Sequence, residues 1–415
     1  NVIDNGIDQE LLPQGKVTTF NGVAITGPLA VEHVVHVDVD EQGNFHGLPE
    51  ELQRQLKASG FKRDEILNQT QDVIDTINFL EDPAQATDPR NSTVRPIEAL
   101  PPLETFLRYD DPRTFLKNLC KIDEGSTCTV YTADYNGTKI AAKEMVLNEK
   151  NTKTLLDETR LMNSMKSKHI VAFHSAHRVE DTLWILMEYM DGGSLTNIAT
   201  CCDCQEPHIA YFAREILLAL QYMHSQNKIH RDIKTDNCLV DKRKGILKII
   251  DYGCAKFLND GNRPHQSYIA SRIYRAPELL LNSTSYDNKI DIWAAGCVIS
   301  EILLDAIPMF QGCDDHDQLI QIMHVLGPPT EEDDKSFEHS LPFPKDVEKI
   351  CSIELALPLS TDKNLLELLQ SIFVYNPSKR PSAIECMKSP YFDELFVEGL
   401  KLPNGNPMPP ITRPQ

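Results

Sequence analysis

The run His230-Arg231-Asp232-Ile233-Lys234-Thr235-Asp236-Asn237, with Asp251-Tyr252-Gly253 beginning nineteen residues after Asp232, decides how this chain is read. The spacing carries the chemistry. Asp232 is a carboxylate placed to orient a hydroxyl. Asn237 and Asp251 are oxygen donors of the kind a hard divalent cation takes. Lys234, two residues after Asp232, adds a positive charge beside them. A single Asp or Asn would mean nothing; the ordered set rarely arises by chance.

This set resembles the catalytic loop and metal-binding loop of eukaryotic protein kinases. The resemblance implies transfer of the ATP γ-phosphoryl group to a hydroxyl with Mg2+, a reaction in which protein groups mainly position and stabilise charge. Asp232 would orient the acceptor hydroxyl. Lys234 would stabilise the transferring group and favour Ser/Thr over Tyr as acceptor. Asn237 and Asp251 would hold Mg2+. Upstream, Ile140-Ala141-Ala142-Lys143 looks like the strand that carries the ATP-phosphate lysine. The stretch from Leu155 to Met162 has helical spacing of its apolar residues. Glu158 in it would pair with Lys143 and hold it toward the phosphates. Trp184 to Met190 is an apolar strand ending at a hinge, with Met187 as gatekeeper and backbone groups around Glu188 and Met190 meeting adenine.

The loop over the phosphates departs from the family pattern G-x-G-x-x-G-x-V. Here the run is Asp123-Glu124-Gly125-Ser126-Thr127-Cys128-Thr129-Val130, so Gly125 alone remains of three glycines. Glycines let backbone approach phosphate without a Cβ in the way. Their loss, with two acids beside an anion site, is expected to weaken ATP binding without removing a group that carries the chemistry. Gly125, Val130 and Ala141 are expected to line the nucleotide.

Length and composition set the bounds. The 415 residues exceed one typical domain, and 41% hydrophobic content suffices for a sizeable core. No run approaches the roughly 18 apolar residues of a membrane span. No signal peptide is visible, and the chain starts at Asn1 without a methionine, as a fragment would. Eleven cysteines scattered over a long chain are not a secreted disulfide framework and fit a reducing, cytoplasmic setting. Cys201, Cys202, Cys204 and His208 are accordingly read as ordinary side chains. With 41 Lys and Arg against 61 Asp and Glu, the formal charge of −20 argues against non-specific nucleic-acid binding.

A second signal lies near the N-terminus. Ile25-Thr26-Gly27-Pro28 leads into Val31-Glu32-His33-Val34-Val35-His36-Val37-Asp38. This resembles the CRIB motif, which binds GTP-loaded Rho-family GTPases. Ile25, Pro28, His33, His36 and Val37 match; Val31 and Asp38 stand for the usual Phe and Gly. Alternating Val and polar residues suit edge-strand addition to a GTPase sheet. Farther on, Thr70 to Leu80 resembles the autoinhibitory helix of the PAK family, with Ile66, Val73, Ile77 and Leu80 near one helical face. The implied switch is a population shift released by a GTPase that binds the open form. The inhibitory lysine of that family is not matched, since Leu67 and Asn68 stand in its place, so steric inhibition by the helix is the version expected here. An autoinhibited homodimer would follow from the same resemblance.

The activation segment and C-lobe resemble another group. Ser267-Tyr268-Ile269-Ala270-Ser271-Arg272-Ile273-Tyr274-Arg275-Ala276-Pro277-Glu278 looks like the CMGC group, glycogen synthase kinases above all. Tyr268 matches their activation-loop tyrosine, and a phosphate there would gain from nearby arginines such as Arg272 and Arg275. Of three basic residues for a primed phosphoserine, Arg231 and Lys256 match, and the third falls at Asp157, an acid. Glu278 and Arg380 would make a buried ion pair, with Asp291 bracing the catalytic loop.

The expected fold is therefore α+β: a two-lobed protein kinase fold, β-rich N-lobe and helical C-lobe, with an N-terminal CRIB and autoinhibitory segment. The expected divisions are 1–22 tail, 23–80 GTPase-binding and autoinhibitory segment, 81–113 Pro-rich linker, 114–396 catalytic domain and 397–415 tail. The expected activity is Ser/Thr phosphorylation of protein substrates under a GTP-bound Rho-family GTPase. Two rivals stay open: a scaffold that binds the GTPase without transferring phosphate, and a constitutive CMGC-type kinase with an inert CRIB-like segment.

Overall fold

The computed structural model describes residues 101–125, 128–202, 204–242, 245–257, 271–283, 285–335, 337 and 342–396, with four two-residue strands nearer the N-terminus. The chain divides into two units, Asn1–Arg95 and Pro96–Pro414. In the first unit, β1 (Thr19–Phe20) pairs antiparallel with β2 (Val23–Ala24), and β3 (Asp38–Val39) with β4 (Phe45–His46). The end of the alternating Val run is thus a strand. Ile25, Pro28, His33 and His36, the proposed autoinhibitory helix and Tyr268 lie outside the described residues.

The second unit opens on a six-stranded sheet in the order β5-β9-β10-β8-β7-β6. Its strands are β5 (Leu107–Arg108), β6 (Lys117–Glu124), β7 (Cys128–Tyr135), β8 (Thr138–Val146), β9 (Phe173–Val179) and β10 (Thr182–Glu188). All neighbours run antiparallel except β5 and β9. Asn136 and Gly137 both adopt positive φ, 51° and 80°, which suits the twist of the two-residue β7–β8 hairpin. Alternation along β8 sorts its side chains. Ile140 and Ala142 pack with Trp184 and Leu186 on one face, and Met145 joins the cluster under the helix on the other.

Helix α1 (Thr152–Ser164) crosses that second face, burying Glu158, Leu161 and Met162. The chain then passes through the hinge after β10 into a helical lobe. Its elements are α2 (Leu195–Cys201), α3 (Glu206–Ser225), the short strands β11 (Lys228–Ile229), β12 (Cys238–Val240), β13 (Leu247–Ile249) and β14 (Lys256–Phe257), then α4 (Pro277–Leu280), α5 (Lys289–Leu303), α6 (Asp315–Leu326) and, farther on, α7 (Lys363–Ile372). Ile209, Phe212, Ile216, Leu220 and Met223 repeat at helical spacing along α3 and face the core.

Helix α5 is apolar nearly all round and correspondingly buried from Ile290 to Ile302. A Cβ on Gly296 would sit 2.7 Å from Ile372 Cγ2, so glycine lets α5 and α7 approach this closely. Trp293 packs against Phe310 and Phe373, with the Arg380 guanidinium 5.0 Å from its ring centre. Arg380 is fully buried and grips both carboxylate oxygens of Glu278, at 2.6 and 2.7 Å. It also donates to the carbonyls of Val374 and Tyr375. All eleven cysteines are unbridged. His208 uses Nδ1 to accept the Gln205 N–H at 3.0 Å, capping α3. Among the described residues, no helix is long and apolar enough to cross a membrane.

Candidate active site

The loop between β11 and β12 carries His230 to Asn237, and α5 holds it from below. Asp291, fully buried, accepts the N–H of His230 at 2.9 Å, the N–H of Arg231 at 2.8 Å and His224 Nε2 at 2.9 Å. Burial would push this carboxyl up; hydrogen bonds and charge from His224, with His230, overcome it and hold the pKa below the usual range. His230 Nδ1 accepts the Asp232 N–H at 3.2 Å, so its ring proton sits on Nε2, which donates to the Ile250 carbonyl at 3.0 Å. Arg231 and Asp251 both adopt positive φ, 69° and 65°, a left-handed backbone that non-glycine residues take infrequently. Arg231 Nη1 donates to the Tyr286 hydroxyl at 3.0 Å, and its Nε to the Cys254 carbonyl.

Three residues converge on Asp232. Lys234 Nζ lies 3.1 Å from Oδ2. Asn237 Nδ2 donates to Oδ2 at 3.1 Å and to the Asp232 carbonyl at 2.8 Å. Ser271 brings its N–H to Oδ1 at 3.1 Å and its hydroxyl to 3.4 Å, with Lys234 Nζ 3.4 Å from the same hydroxyl. Thr235 bonds to Tyr274 and Glu301, tying the loop to the turn that Ser271 precedes.

On the sheet side, Lys143 Nζ lies 3.2 Å from Asp251 Oδ1. Burial disfavours the Asp251 charge, but the Lys143 ammonium outweighs it, and the carboxyl is held below its usual range. Burial likewise opposes the Lys143 charge, and Asp251 with Glu158 raises it above the ordinary value. No Lys143–Glu158 pair closes within 4.0 Å. The expected partner of Lys143 instead sits against Gly253, where an added Cβ would meet both Glu158 oxygens at 3.4 Å. Burial pushes the Glu158 carboxyl up to about 7, against the pull of Lys143.

Val130 faces Lys143 across the β7–β8 ladder, and Met187 faces Ala141 across β8–β10. Gly125 donates its N–H to the Cys128 carbonyl at 2.9 Å. At the hinge, Met190 is buried, while Glu188 is engaged through both its N–H and its side chain. Its N–H goes to the Ala172 carbonyl at 2.9 Å, and its Oε2 accepts Lys248 Nζ at 2.6 Å and the Ala172 N–H at 3.1 Å. Glu188 therefore has neither side chain nor N–H to offer adenine.

Sequence reasoning missed Ser271 as a partner of Asp232. No spacing rule would have found it, because chain closure over 39 positions makes the contact. The arginines expected to take a phosphate at Tyr268 are already engaged: Arg272 and Arg275 both meet Asp315.

The donor set suits Mg-ATP. Asn237 spends its amide hydrogens on Asp232, which leaves its oxygen as the ligand atom, and Asp251 presents a carboxylate already facing a cation. Fold and site define a protein kinase domain, and residues 116–392 match the protein kinase domain family. The chain belongs to the protein kinase family. Residues 24–80 match the P21-Rho-binding domain. Among relatives, the Serine/threonine-protein kinase pakC of Dictyostelium discoideum is 33% identical over 67% of this chain and 59% of its own length. Protein kinase gsk31 of Schizosaccharomyces pombe is 35% identical over 69% of this chain and 77% of its own. Glycogen synthase kinase 1 of Pyricularia oryzae is 39% identical over 47% of this chain and 49% of its own. The chain thus spans about three fifths of pakC, and 24% of the related pakA.

Proposed function

We propose that this chain is a Ser/Thr protein kinase, cytoplasmic, whose activity a GTP-bound Rho-family GTPase controls through residues 23–80. The convergence of Lys234, Asn237 and Ser271 on Asp232 carries the reading. Such a carboxylate can accept a hydrogen bond from an acceptor hydroxyl on a protein substrate and receive its proton as the oxygen is phosphorylated. Lys234 lies where it can neutralise charge on the transferring group. Lys143 would contact the ATP phosphates, and Asn237 and Asp251 would hold Mg2+. Bound Mg-ATP supplies the phosphoryl group and screens its charge. Gly125, Val130, Ala141, Met187 and Met190 would surround the nucleotide. The matched P21-Rho-binding segment supports GTPase control, with Ile25, Pro28, His33 and His36 as its contacts. Tyr268 is the phosphosite that the resemblance implies, although the arginines expected to receive its phosphate already meet Asp315, and a homodimer is the proposed autoinhibited form.

Radiolabelled phosphate transfer to a basic protein tests this, using wild type and Asp232→Asn, each with and without a GTP-loaded Rho-family protein. Transfer that rises with the GTPase and vanishes in Asp232→Asn is expected. No transfer under any condition, despite tight GTPase binding, would replace this reading with a GTPase-binding scaffold.

A further inference from the structure

Two arginines beside the catalytic loop close on one carboxylate. Arg275 Nη1 lies 2.8 and 3.0 Å from the two oxygens of Asp315, and Arg272 Nε lies 3.3 Å from Oδ1. Arg272 also donates to the Cys313 carbonyl. The Arg275 side chain is 6% exposed, so its charge sits in a largely dry setting. Asp315 is the first residue of α6, where the helix N-terminus favours negative charge.

These arginines bracket a short 3-10 turn, Arg272–Tyr274, and the residue before that turn is Ser271. Ser271 in turn bonds to Asp232. A pair of guanidinium groups converging on one point is the chemistry that receives a phosphate: fixed charge and planar forks of donors. Here the receptor is filled from within the chain by a carboxylate.

We propose that Asp315 stands in for an activating phosphate. It is a positioning residue that pins Arg272 and Arg275, sets the turn between them, and so holds Ser271 on Asp232 without covalent modification. This rests on the reading of Asp232 as the carboxylate that meets the acceptor hydroxyl. Asp315 carries one negative charge where a phosphate would carry nearly two, which suffices for two arginines sharing its oxygens.

The test uses the full chain before and after treatment with a broad-specificity phosphatase. Peptide phosphorylation is measured for wild type, Asp315→Asn, Asp315→Glu and Arg275→Gln, with and without millimolar inorganic phosphate. Melting temperature is followed under the same conditions. Wild type should keep its kcat after phosphatase treatment, and added phosphate should neither speed nor stabilise it. Asp315→Asn should lose kcat on the order of 10- to 100-fold, with KM for ATP little changed. Inorganic phosphate should restore part of that loss and raise the melting temperature, whereas Asp315→Glu should need no rescue. Arg275→Gln should lose kcat without rescue.

Loss of wild-type kcat on phosphatase treatment would overturn the proposal, as would equal stabilisation of wild type and Asp315→Asn by phosphate. If Asp315→Asn does not fold, the phosphatase arm on wild type and the Arg275→Gln arm still decide. Failure of the kinase reading would look different: no transfer from any protein, with the melting-temperature comparison still deciding the role of Asp315.

Discussion

Lys143 reaches Asp251 at 3.2 Å, and Glu158 stands beyond that contact with its carboxylate against Gly253. The lysine is thus held by the residue proposed to bind metal, while the helix glutamate remains a buried acid. Bringing α1 closer would exchange one carboxylate for the other at the ammonium.

Stability should carry the mark of Glu158. Its pKa is raised from 4.5 to about 7 by burial. The folded state then holds a proton that the unfolded chain releases, so stability should fall as pH rises from 4.5 through about 7 and level off above. The full effect is on the order of 3 kcal/mol. Glu158→Gln should flatten this slope in urea unfolding at pH 5 and pH 8. An unchanged slope would mean that another group titrates.

Ser271→Ala removes the hydroxyl between Lys234 and Asp232 and leaves the N–H contact to Asp232 in place. We expect kcat to fall by about tenfold with KM for ATP unchanged. Ser271→Thr should retain most activity. Steady-state kinetics on a peptide substrate would show this, and a rise in KM alone would reassign Ser271 to substrate binding.

Gly125→Ala separates folding from nucleotide binding. Among the described residues, the new Cβ would meet the Cys128 carbonyl oxygen at 3.7 Å and Sγ at 3.9 Å, both ordinary contacts. Stability should change by less than about 0.5 kcal/mol. KM for ATP should rise, because the remaining glycine would lose its close approach to phosphate. Calorimetric titration with Mg-ATP, beside a thermal melt, checks both halves.

The Glu278–Arg380 pair should be costly to break from either side, about 3–5 kcal/mol for one partner. Arg380→Met should cost more than Glu278→Gln, because it also strands the carbonyls of Val374 and Tyr375. Denaturant unfolding of both variants and the double mutant gives the order. Strictly additive losses would show that the pair is not coupled.

The catalytic loop was legible because its chemistry occupies contiguous positions: Asp232, Lys234 and Asn237 share eight residues with their anchors. Lys143 and Asp251 were found at fixed distances from strand and loop patterns. The Glu278–Arg380 pair, 102 positions apart, could be named only through resemblance, since no local rule links its members. Ser271, Asp315 and Lys248 were missed as partners for the same reason. Each meets its group by tertiary closure, and an isolated Ser, Asp or Lys in a polar stretch looks like any solvated residue. The departure of Glu158 from Lys143 was also invisible, because helix spacing fixes a face but not how near that face stands.

The strut behind the hinge has a kinetic consequence. Glu188 belongs to the last strand of one lobe, and Lys248 to a ribbon of the other, 2.6 Å away. Any lobe motion that draws Glu188 away from Lys248 has to break that charge pair. Where such a motion accompanies release of spent nucleotide, the pace of the catalytic cycle would be set at the back of the cleft as much as at its mouth.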